Sequence, residues 1–265
     1  MLILSLFPGI DLFGRGFESA AGWCVVRGPD LLYGGDVREF HPPPYRFEGV
    51  IGGPPCQEFS GGFRGVPTGA SLAMLQEFAR VVTEARPLWY LLENVPSVPD
   101  VRVAGYSWQR FNLNANQFGT PQNRLRAFQW GHCRGVMLPL DKLQCDTPAR
   151  PTQPCCLASE GRRPATRRPW AEFCALQGLP RNFDLPGLTQ AAKYQAVGNG
   201  VHIGLARSLA QLIQTASAFQ PECGRVTFCA CGCGRGVTGH ALTANAACRK
   251  RVSRARKTPR SAVTL

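Results

Sequence analysis

Short apolar runs separated by glycine-rich or proline-rich turns dominate the first 130 residues. Such runs are typical of buried strands. Between the third and fourth runs, residues 72–84 place apolar side chains at helical spacing. Strands that alternate with helices predict an α/β fold built on a doubly wound, mostly parallel sheet. The predicted strands cover residues 2–7, 23–26, 49–51, 88–92 and 127–130.

The pattern changes three times after residue 130. Residues 131–166 lose periodicity and hold prolines and the pair Cys155-Cys156, which predicts an irregular insert. Two helical segments then flank the Gly-Asn-Gly at residues 198–200, and the last fifty residues are cysteine-rich and then strongly basic. We therefore predict a main domain from residues 1–130 and 167–215, an insert over residues 131–166, and a small C-terminal segment over residues 216–265.

Composition narrows the class of protein. With 265 residues, 44% of them hydrophobic, the chain can bury one core and carry a small appendage. No apolar run approaches the ~20 residues that span a bilayer, and the first residues lack the basic start of a signal peptide. Twelve cysteines in such a chain indicate reduced thiols that serve as core residues, metal ligands or a nucleophile. We expect a monomeric cytoplasmic protein.

The charge predicts a polyanionic partner. Thirty Lys and Arg residues face seventeen Asp and Glu, for a formal net charge of +13. Arginine, which dominates the basic set, donates two parallel hydrogen bonds to phosphate. Nucleic acid is the leading partner, and the alternative is a basic surface that only keeps the protein in solution.

Three polar clusters follow predicted strands, at residues 7–11, 54–57 and 93–96. Ligands bind beyond the carboxyl ends of the strands in open α/β sheets, so these clusters are expected on one rim. In the middle cluster two prolines end the strand, because proline cannot donate to the ladder, and Cys56 follows on a rigid turn. A buried thiol is the alternative to a nucleophile for this cysteine.

The order of short motifs resembles that of the cytosine-C5 DNA methyltransferases. The resemblance covers residues 1–130 and 167–214, and it implies a sheet of the S-adenosylmethionine-dependent methyltransferase type with residues 131–166 as a short target-recognition insert. The compact size suggests a bacterial or phage-type member of a restriction-modification system. The motifs are Phe-x-Gly (7–9), Gly-Asp (35–36), Pro-Cys-Gln (55–57), Glu-Asn-Val (93–95), Gln-x-Arg-x-Arg (122–126), Leu-Gln-Gly (176–178) and Gly-Asn-x-Val (198–201).

The resemblance implies a covalent mechanism. Cys56 would add to carbon 6 of cytosine so that carbon 5 can accept a methyl group, and Arg124 or Arg126 is expected to lower the thiol pKa from about 8.5. Glu93 would hydrogen-bond or protonate ring atom N3, which requires a partly buried carboxyl that keeps its proton. By the same resemblance Arg126 would touch the exocyclic oxygen of the base, with Arg124 and Gln122 bracing the site.

The target base must leave the stack to be reached, and residues 60–65 are glycine-rich enough to close over it as a lid.

S-adenosylmethionine is the implied methyl donor. Phe7 would pack on the adenine, Gly9 would permit close backbone approach, and Asn199 and Val201 would complete the pocket. The chain departs from the family at Ser5, where an acid is usual, and Asp30 is the nearest candidate for the ribose contact. We therefore expect a trimmed cofactor site. Its other candidate contacts are Ile10, Asp11, Asp36 and Pro55.

The insert and the C-terminal segment carry weaker predictions. Basic groups of the insert suit DNA phosphates, and the alternative is a proline-rich connector. The spacing of Cys229 and Cys233 suits zinc, with further ligands from Cys248 and from Cys231, Cys223 or His240; free thiols are the alternative. Seven basic residues over 249–260 form a footprint for a nucleic-acid backbone. The basic groups of the insert region are Arg134, Lys142, Arg150, Arg162, Arg163, Arg167 and Arg168.

Double-stranded DNA is the expected substrate, and two rival functions stay open. One is an RNA cytosine-C5 methyltransferase on the same scaffold, since the Pro-Cys-Gln and Glu-Asn-Val motifs do not separate the two substrates. The other is a catalytically silent DNA-binding relative, which the altered cofactor loop favours.

Overall fold

The computed structural model describes residues 1–146, 151–218, 227–228, 236–237 and 245–257. The chain divides into two compact units, Met1–Ala216 and Ser217–Leu265. The first unit holds the strands β1 (Leu2–Leu6), β2 (Cys24–Arg27), β3 (Gly49–Gly52), β4 (Trp89–Asn94), β5 (Ser107–Asn114), β6 (Gln122–Asn123), β7 (Leu125–His132) and β8 (Gln153–Pro154). Its helices are α1 (Leu12–Glu18), α2 (Ala70–Ala85), α3 (Trp170–Leu176), α4 (Gln190–Asn199) and α5 (Ile203–Ala218), the last of which crosses the unit boundary.

A six-stranded sheet in the order β2-β1-β3-β4-β7-β5 organises the first unit. The pairs β1–β2, β1–β3 and β3–β4 are parallel, whereas β7 runs antiparallel to both β4 and β5. Every residue of β3 and β4 is buried, as expected for central strands covered on both faces.

Side-chain alternation along the strands builds a core on each face of the sheet. Ile3 and Leu91 point to the face shared with Phe17 of α1 and Leu209 of α5. Their neighbours, such as Leu4 and Leu92, join the core of α2 on the other face. A third cluster around Phe173 of α3 and Tyr194 of α4 packs beside the first turn of α1. The doubly wound α/β prediction is confirmed.

Two elements of the sheet region were not predicted. Helix α1 is short and glycine-containing, so its apolar positions do not repeat for long enough to show a period. Strand β5 lies at the sheet edge, and its first four residues are only half-buried polar and aromatic groups. A mostly polar edge strand lacks the continuous apolar run that marks the central strands.

The insert region folds back on the main sheet domain over part of its length. Strand β8 pairs in parallel with β6, at Gln122–Gln153 and Asn123–Pro154. The predicted phosphate contacts separate into partly buried side chains that have partners within the protein and exposed side chains. Arg168 forms an ion pair with Glu160 at 3.1 Å. Arg167 is half-buried over the Tyr194 ring. Arg134, Lys142, Arg162 and Arg163 are exposed, and Arg150 lies outside the described residues.

The second unit is described for two short strands and one helix. Strands β9 (Thr227–Phe228) and β10 (Gly236–Val237) pair antiparallel, and helix α6 covers Ala246–Lys257. The Asn245 side chain caps this helix by accepting from the Cys248 N–H at 3.0 Å. No helix in the described ranges is both long and apolar enough to cross a bilayer.

Candidate active site

The carboxyl ends of β1, β3 and β4 meet at one rim of the sheet and open into a cavity of about 580 Å³. Because β7 is antiparallel to β4, its first residues lie at the same rim, with Ala127 opposite Asn94. Most of the predicted site residues line this one cavity. They are Phe7, Gly9, Ile10, Asp11, Asp30, Pro55, Cys56, Glu93, Arg124, Arg126, Asn199 and Val201.

Cys56 is half-buried at the start of a short 3-10 turn, Gln57–Phe59. The strand end before it is fixed by Asn94, whose Nδ2 donates to the Pro54 carbonyl at 3.1 Å. Asn94 itself is buried at the end of β4. The cysteine is therefore held on a braced turn at the cavity wall, as its sequence context predicts.

Glu93 is the buried acid of the site, with 6% of its surface exposed. Its Oε1 lies 3.1 Å from Arg126 Nε, although that oxygen accepts no hydrogen bond from the described residues. A Cβ at Gly53 would lie 3.1 Å from Glu93 Oε2, so the glycine leaves room for the carboxyl. Burial raises the pKa of Glu93, against the opposing effect of the two arginines. The predicted burial of this carboxyl is confirmed.

The pKa of the Cys56 thiol is raised, mainly by burial and then by the Glu93 carboxylate. Arg126 and Arg124 oppose this shift without overcoming it. The two arginines therefore act in the predicted direction, but the net shift of the thiol pKa is upward, because removal from water disfavours a thiolate more than the two cations favour it.

Arg124 and Gln122 act as braces. The Arg124 guanidinium is 3% exposed and donates to the carbonyls of Cys156, Gly198 and Gly200 at 3.0–3.1 Å. Gln122 is fully buried and does not line the cavity. Its Nε2 donates to the Leu176 carbonyl at 2.7 Å. These side chains tie the start of β7 to the insert and to the end of α4, which forms the opposite cavity wall.

Replacing Arg124 by Met should destabilise the protein by about 3 kcal/mol, because the carbonyls of Cys156 and Gly198 would lose the guanidinium donor, while that of Gly200 would retain Gln177 Nε2. Urea unfolding followed by circular dichroism measures this change. Arg163→Met, at an exposed position of the insert, is the matched control and should change the unfolding free energy by less than about 0.5 kcal/mol. Equal stabilities of the two variants would contradict the bracing role.

The loop after β1 is held in an unusual backbone conformation. Phe7 and Asp11 adopt positive φ values of 53° and 57°, which are rare for residues other than glycine and concentrate at binding sites. Asp11 is 1% exposed, and its Oδ1 accepts from Ser5 Oγ at 2.8 Å and from the Gly14 N–H at 3.0 Å. Its Oδ2 lies 2.9 Å from Arg27 Nε and accepts no hydrogen bond from the described residues.

Asp30 and Asp36, two predicted cofactor contacts, are placed differently from one another. Asp30 lines the cavity, and its carboxylate accepts from the N–H groups of Gly9 and Leu32, both at 2.8 Å. It therefore shapes the loop that carries Gly9. Asp36 does not line the cavity; it caps the turn Val37–Glu39 and forms an ion pair with Arg38. The structure does not bring Asp36 to the predicted pocket.

Several cavity residues escaped the sequence reasoning. Residues 155–158 of the insert line the wall, and Arg124 Nη1 donates to Cys155 Sγ at 3.2 Å. Two further thiols, those of Cys155 and Cys156, thus lie at the same cavity as Cys56. The pair Cys155-Cys156 is visible in the sequence, but the sequence does not show that this segment returns to the cavity. The pairing of β6 with β8 brings it there. The other unpredicted lining residues include Leu31, Leu32, Ala192, Gln195 and Ala196.

The zinc prediction falls almost entirely on residues outside the description. Cys229, Cys231 and Cys233 are not described, and Cys248 is buried in α6. Within the described ranges, no group of three or more potential metal ligands occurs. The zinc site stays a prediction.

Several solved structures share the fold of this chain. The S. pombe Dnmt2 methyltransferase matches with a TM-score of 0.58 at 15% identity, over 81% of this chain and 98% of that chain. Entamoeba histolytica methyltransferase EhMeth matches with a TM-score of 0.57 at 12% identity, over 81% and 98%. At these identities the likeness shows the fold alone, which this chain shares with both methyltransferases.

Sequence comparison finds a similarity over part of the chain. Residues 33–153 match the family model of C-5 cytosine-specific DNA methylases. Type II methyltransferase M.HgiDI of Herpetosiphon aurantiacus is 36% identical over 102 residues, which cover 34% of this chain and 33% of that relative. M.FnuDI of Fusobacterium nucleatum is 29% identical over 163 residues, or 49% and 46%. Residues 33–153 are thus similar to the cytosine-C5 DNA methylases, and the matches span less than half the length of these two relatives.

Proposed function

We propose that this protein transfers a methyl group to carbon 5 of a flipped-out cytosine in DNA through a covalent adduct at Cys56. The observation that carries the proposal is the meeting of three groups at one cavity, namely the half-buried Cys56 thiol, the buried Glu93 carboxyl and the Arg126 guanidinium. These are a nucleophile, a proton donor and a cation, the set required to activate a pyrimidine ring.

Cys56 and Glu93 have separate roles in the proposed reaction. The Cys56 thiolate forms a bond to carbon 6, and the ring electrons move toward carbon 5 and N3. Glu93, whose raised pKa keeps a proton available, donates to N3 and so stabilises the electron-rich ring. After carbon 5 has accepted the methyl group, loss of its proton returns the electron pair to the ring and expels the Cys56 thiolate.

The cavity fits S-adenosylmethionine as the methyl donor, which when bound supplies an electrophilic methyl group. Its volume of about 580 Å³ lies within the usual range for a small-molecule site. The Asp11 carboxylate lines this cavity, and its buried Oδ2, 2.9 Å from Arg27 Nε, accepts no hydrogen bond from the described residues. Phe7, Gly9, Asn199 and Val201 would hold the rest of the donor.

The net charge and the similar proteins both support DNA as the substrate. The net charge of +13 favours a nucleic acid. The two sequence relatives are named type II methyltransferases, and the matching family model is that of DNA methylases. These findings favour DNA over RNA, the alternative left open by the motifs.

Bisulfite sequencing of DNA from cells that express the chain tests this function. The host should lack its own cytosine-C5 methylation, and a Cys56→Ala strain is the control. We expect protected cytosines at a recurrent short sequence in the wild-type strain alone. Methylated RNA with unmethylated DNA would favour the RNA enzyme, and neither product from well-expressed protein would favour the silent DNA-binding relative.

A further inference from the structure

Glu58, two residues after Cys56, makes a cluster of contacts that the proposed reaction does not use. Its Oε1 accepts from Thr68 Oγ1 at 2.8 Å and from the N–H groups of Thr68 and Gly69. Its Oε2 accepts from the Ser71 N–H at 2.8 Å, and Ser71 Oγ in turn accepts from the Glu58 N–H at 3.3 Å. One carboxylate therefore joins the nucleophile turn to the first residues of α2.

The helix side of this contact is rigid. Helix α2 begins after Gly69, which has no side chain to cap it, so the Glu58 carboxylate serves as its cap. A negative charge at this end is favoured by the helix dipole. The helix is anchored by Phe78 and Val82, both fully buried in the core of the sheet.

The other side of this contact, the turn with Glu58, holds the nucleophile. Asn94 fixes Pro54 two residues before Cys56, and Glu58 fixes the chain two residues after it. Ser97 Oγ also donates to the Phe59 carbonyl. The segment 60–67, which includes the predicted lid at residues 60–65, forms a loop between Glu58 and Thr68. The hydrogen bond between these two residues closes the base of that loop.

We propose that Glu58 is a positioning residue, which clamps the Cys56 turn and the base of the segment 60–67 to helix α2 and so sets the position of the thiol for attack. This inference rests on the proposed function. The clamp has its own signature, because the donated hydrogen bonds hold the pKa of Glu58 at about 2. The carboxylate stays charged throughout any working pH range.

Glu58→Gln is the sharpest variant because it keeps the size of the side chain. A glutamine amide presents one oxygen and one N–H₂ donor, so either the donors of Thr68 and Gly69 or the Ser71 N–H must face another donor. A misplacement of about 1 Å can cost on the order of 10²-fold in rate, and we expect the single-turnover methylation rate to fall by at least about 10-fold. The dissociation constant for S-adenosylmethionine should stay within about twofold of the wild-type value, since Glu58 does not line the cavity.

Three further readouts separate positioning from simple stabilisation. The ratio of wild-type to Glu58→Gln rates should be constant between about pH 5 and pH 9, because the Glu58 carboxylate does not titrate there. Trypsin should cleave faster after Arg64, an exposed residue of the segment 60–67. Glu58→Asp, which keeps the charge but not the reach, should resemble Glu58→Gln. The matched control is Glu39→Gln, an exposed carboxylate away from the turn, which should match the wild type.

The outcomes decide the clamp and the enzyme separately. An unchanged single-turnover rate in Glu58→Gln, measured well below its unfolding temperature, overturns the positioning role whatever its stability. A rate ratio that varies with pH also overturns it, because it would indicate a proton-transfer role. If the wild type transfers no methyl group to cytosine, the proposed function fails. The clamp is tested separately by proteolysis, and it is overturned if trypsin cleaves after Arg64 at the same rate in Glu58→Gln and in the wild type.

Discussion

Replacing Cys56 by Ala is expected to lower the rate of methyl transfer by at least about 10³-fold, because the cavity would lose the nucleophile that activates carbon 5. The fold should survive, since Cys56 is half-buried and its turn is held by contacts of Asn94 and Glu58 that do not involve the thiol. Transfer of a tritiated methyl group to DNA measures the effect.

The matched control for this variant is Cys155→Ala. Cys155 is the other half-buried thiol of the cavity, and its Sγ accepts from Arg124. We expect this variant to retain activity within about 10-fold of the wild type, because the turn that presents a nucleophile is at Cys56. Loss of activity in Cys155→Ala with retention in Cys56→Ala would reverse the assignment of the nucleophile.

Replacing Glu93 by Gln should have opposite effects on two reactions of the same site. Methyl transfer should fall by about 10²- to 10⁴-fold, because an amide cannot supply the proton to N3. Alkylation of Cys56 by iodoacetamide should become faster at a given pH. At pH values above the raised pKa of Glu93 its carboxylate raises the thiol pKa, so its removal lowers that pKa and leaves Arg126 free to favour the thiolate.

The pH profile gives the sign of this effect. In the wild type, alkylation of Cys56 should increase as pH rises toward a thiol pKa above its usual value. In Glu93→Gln the same curve should move to lower pH. Peptide mapping by mass spectrometry is needed to separate Cys56 from Cys155. A curve that stays in place, or moves to higher pH, would contradict the electrostatic coupling between Glu93 and Cys56.

The rim of the sheet could be predicted from sequence because it depends on local signals. Apolar runs mark β1, β3 and β4, and each is followed by polar residues that a parallel sheet must bring to the same edge. The burial of Glu93 follows from the same reasoning, since its strand is central. These parts of the site need no knowledge of distant contacts.

The remaining parts depend on contacts between distant segments. The return of residues 155–158 to the cavity rests on Gln122 and Arg124, whose partners lie more than 30 residues away. The sequence predicts that the arginines lower the thiol pKa but misses the larger upward effect of burial, because charge is visible in a sequence whereas the depth of burial is not. The capping of α2 by Glu58 crosses a loop and leaves no periodic signal.

Covalent trapping on DNA that contains 5-fluorocytosine tests the central claim most directly. Fluorine at carbon 5 cannot be lost as a proton is, so the Cys56 adduct should persist after methyl transfer. The wild type, incubated with S-adenosylmethionine and a duplex carrying the site found by bisulfite sequencing, should yield a tryptic peptide joined to DNA through Cys56, and Cys56→Ala should yield none. An active wild type without an adduct, or an adduct at Cys155 instead, would contradict the account.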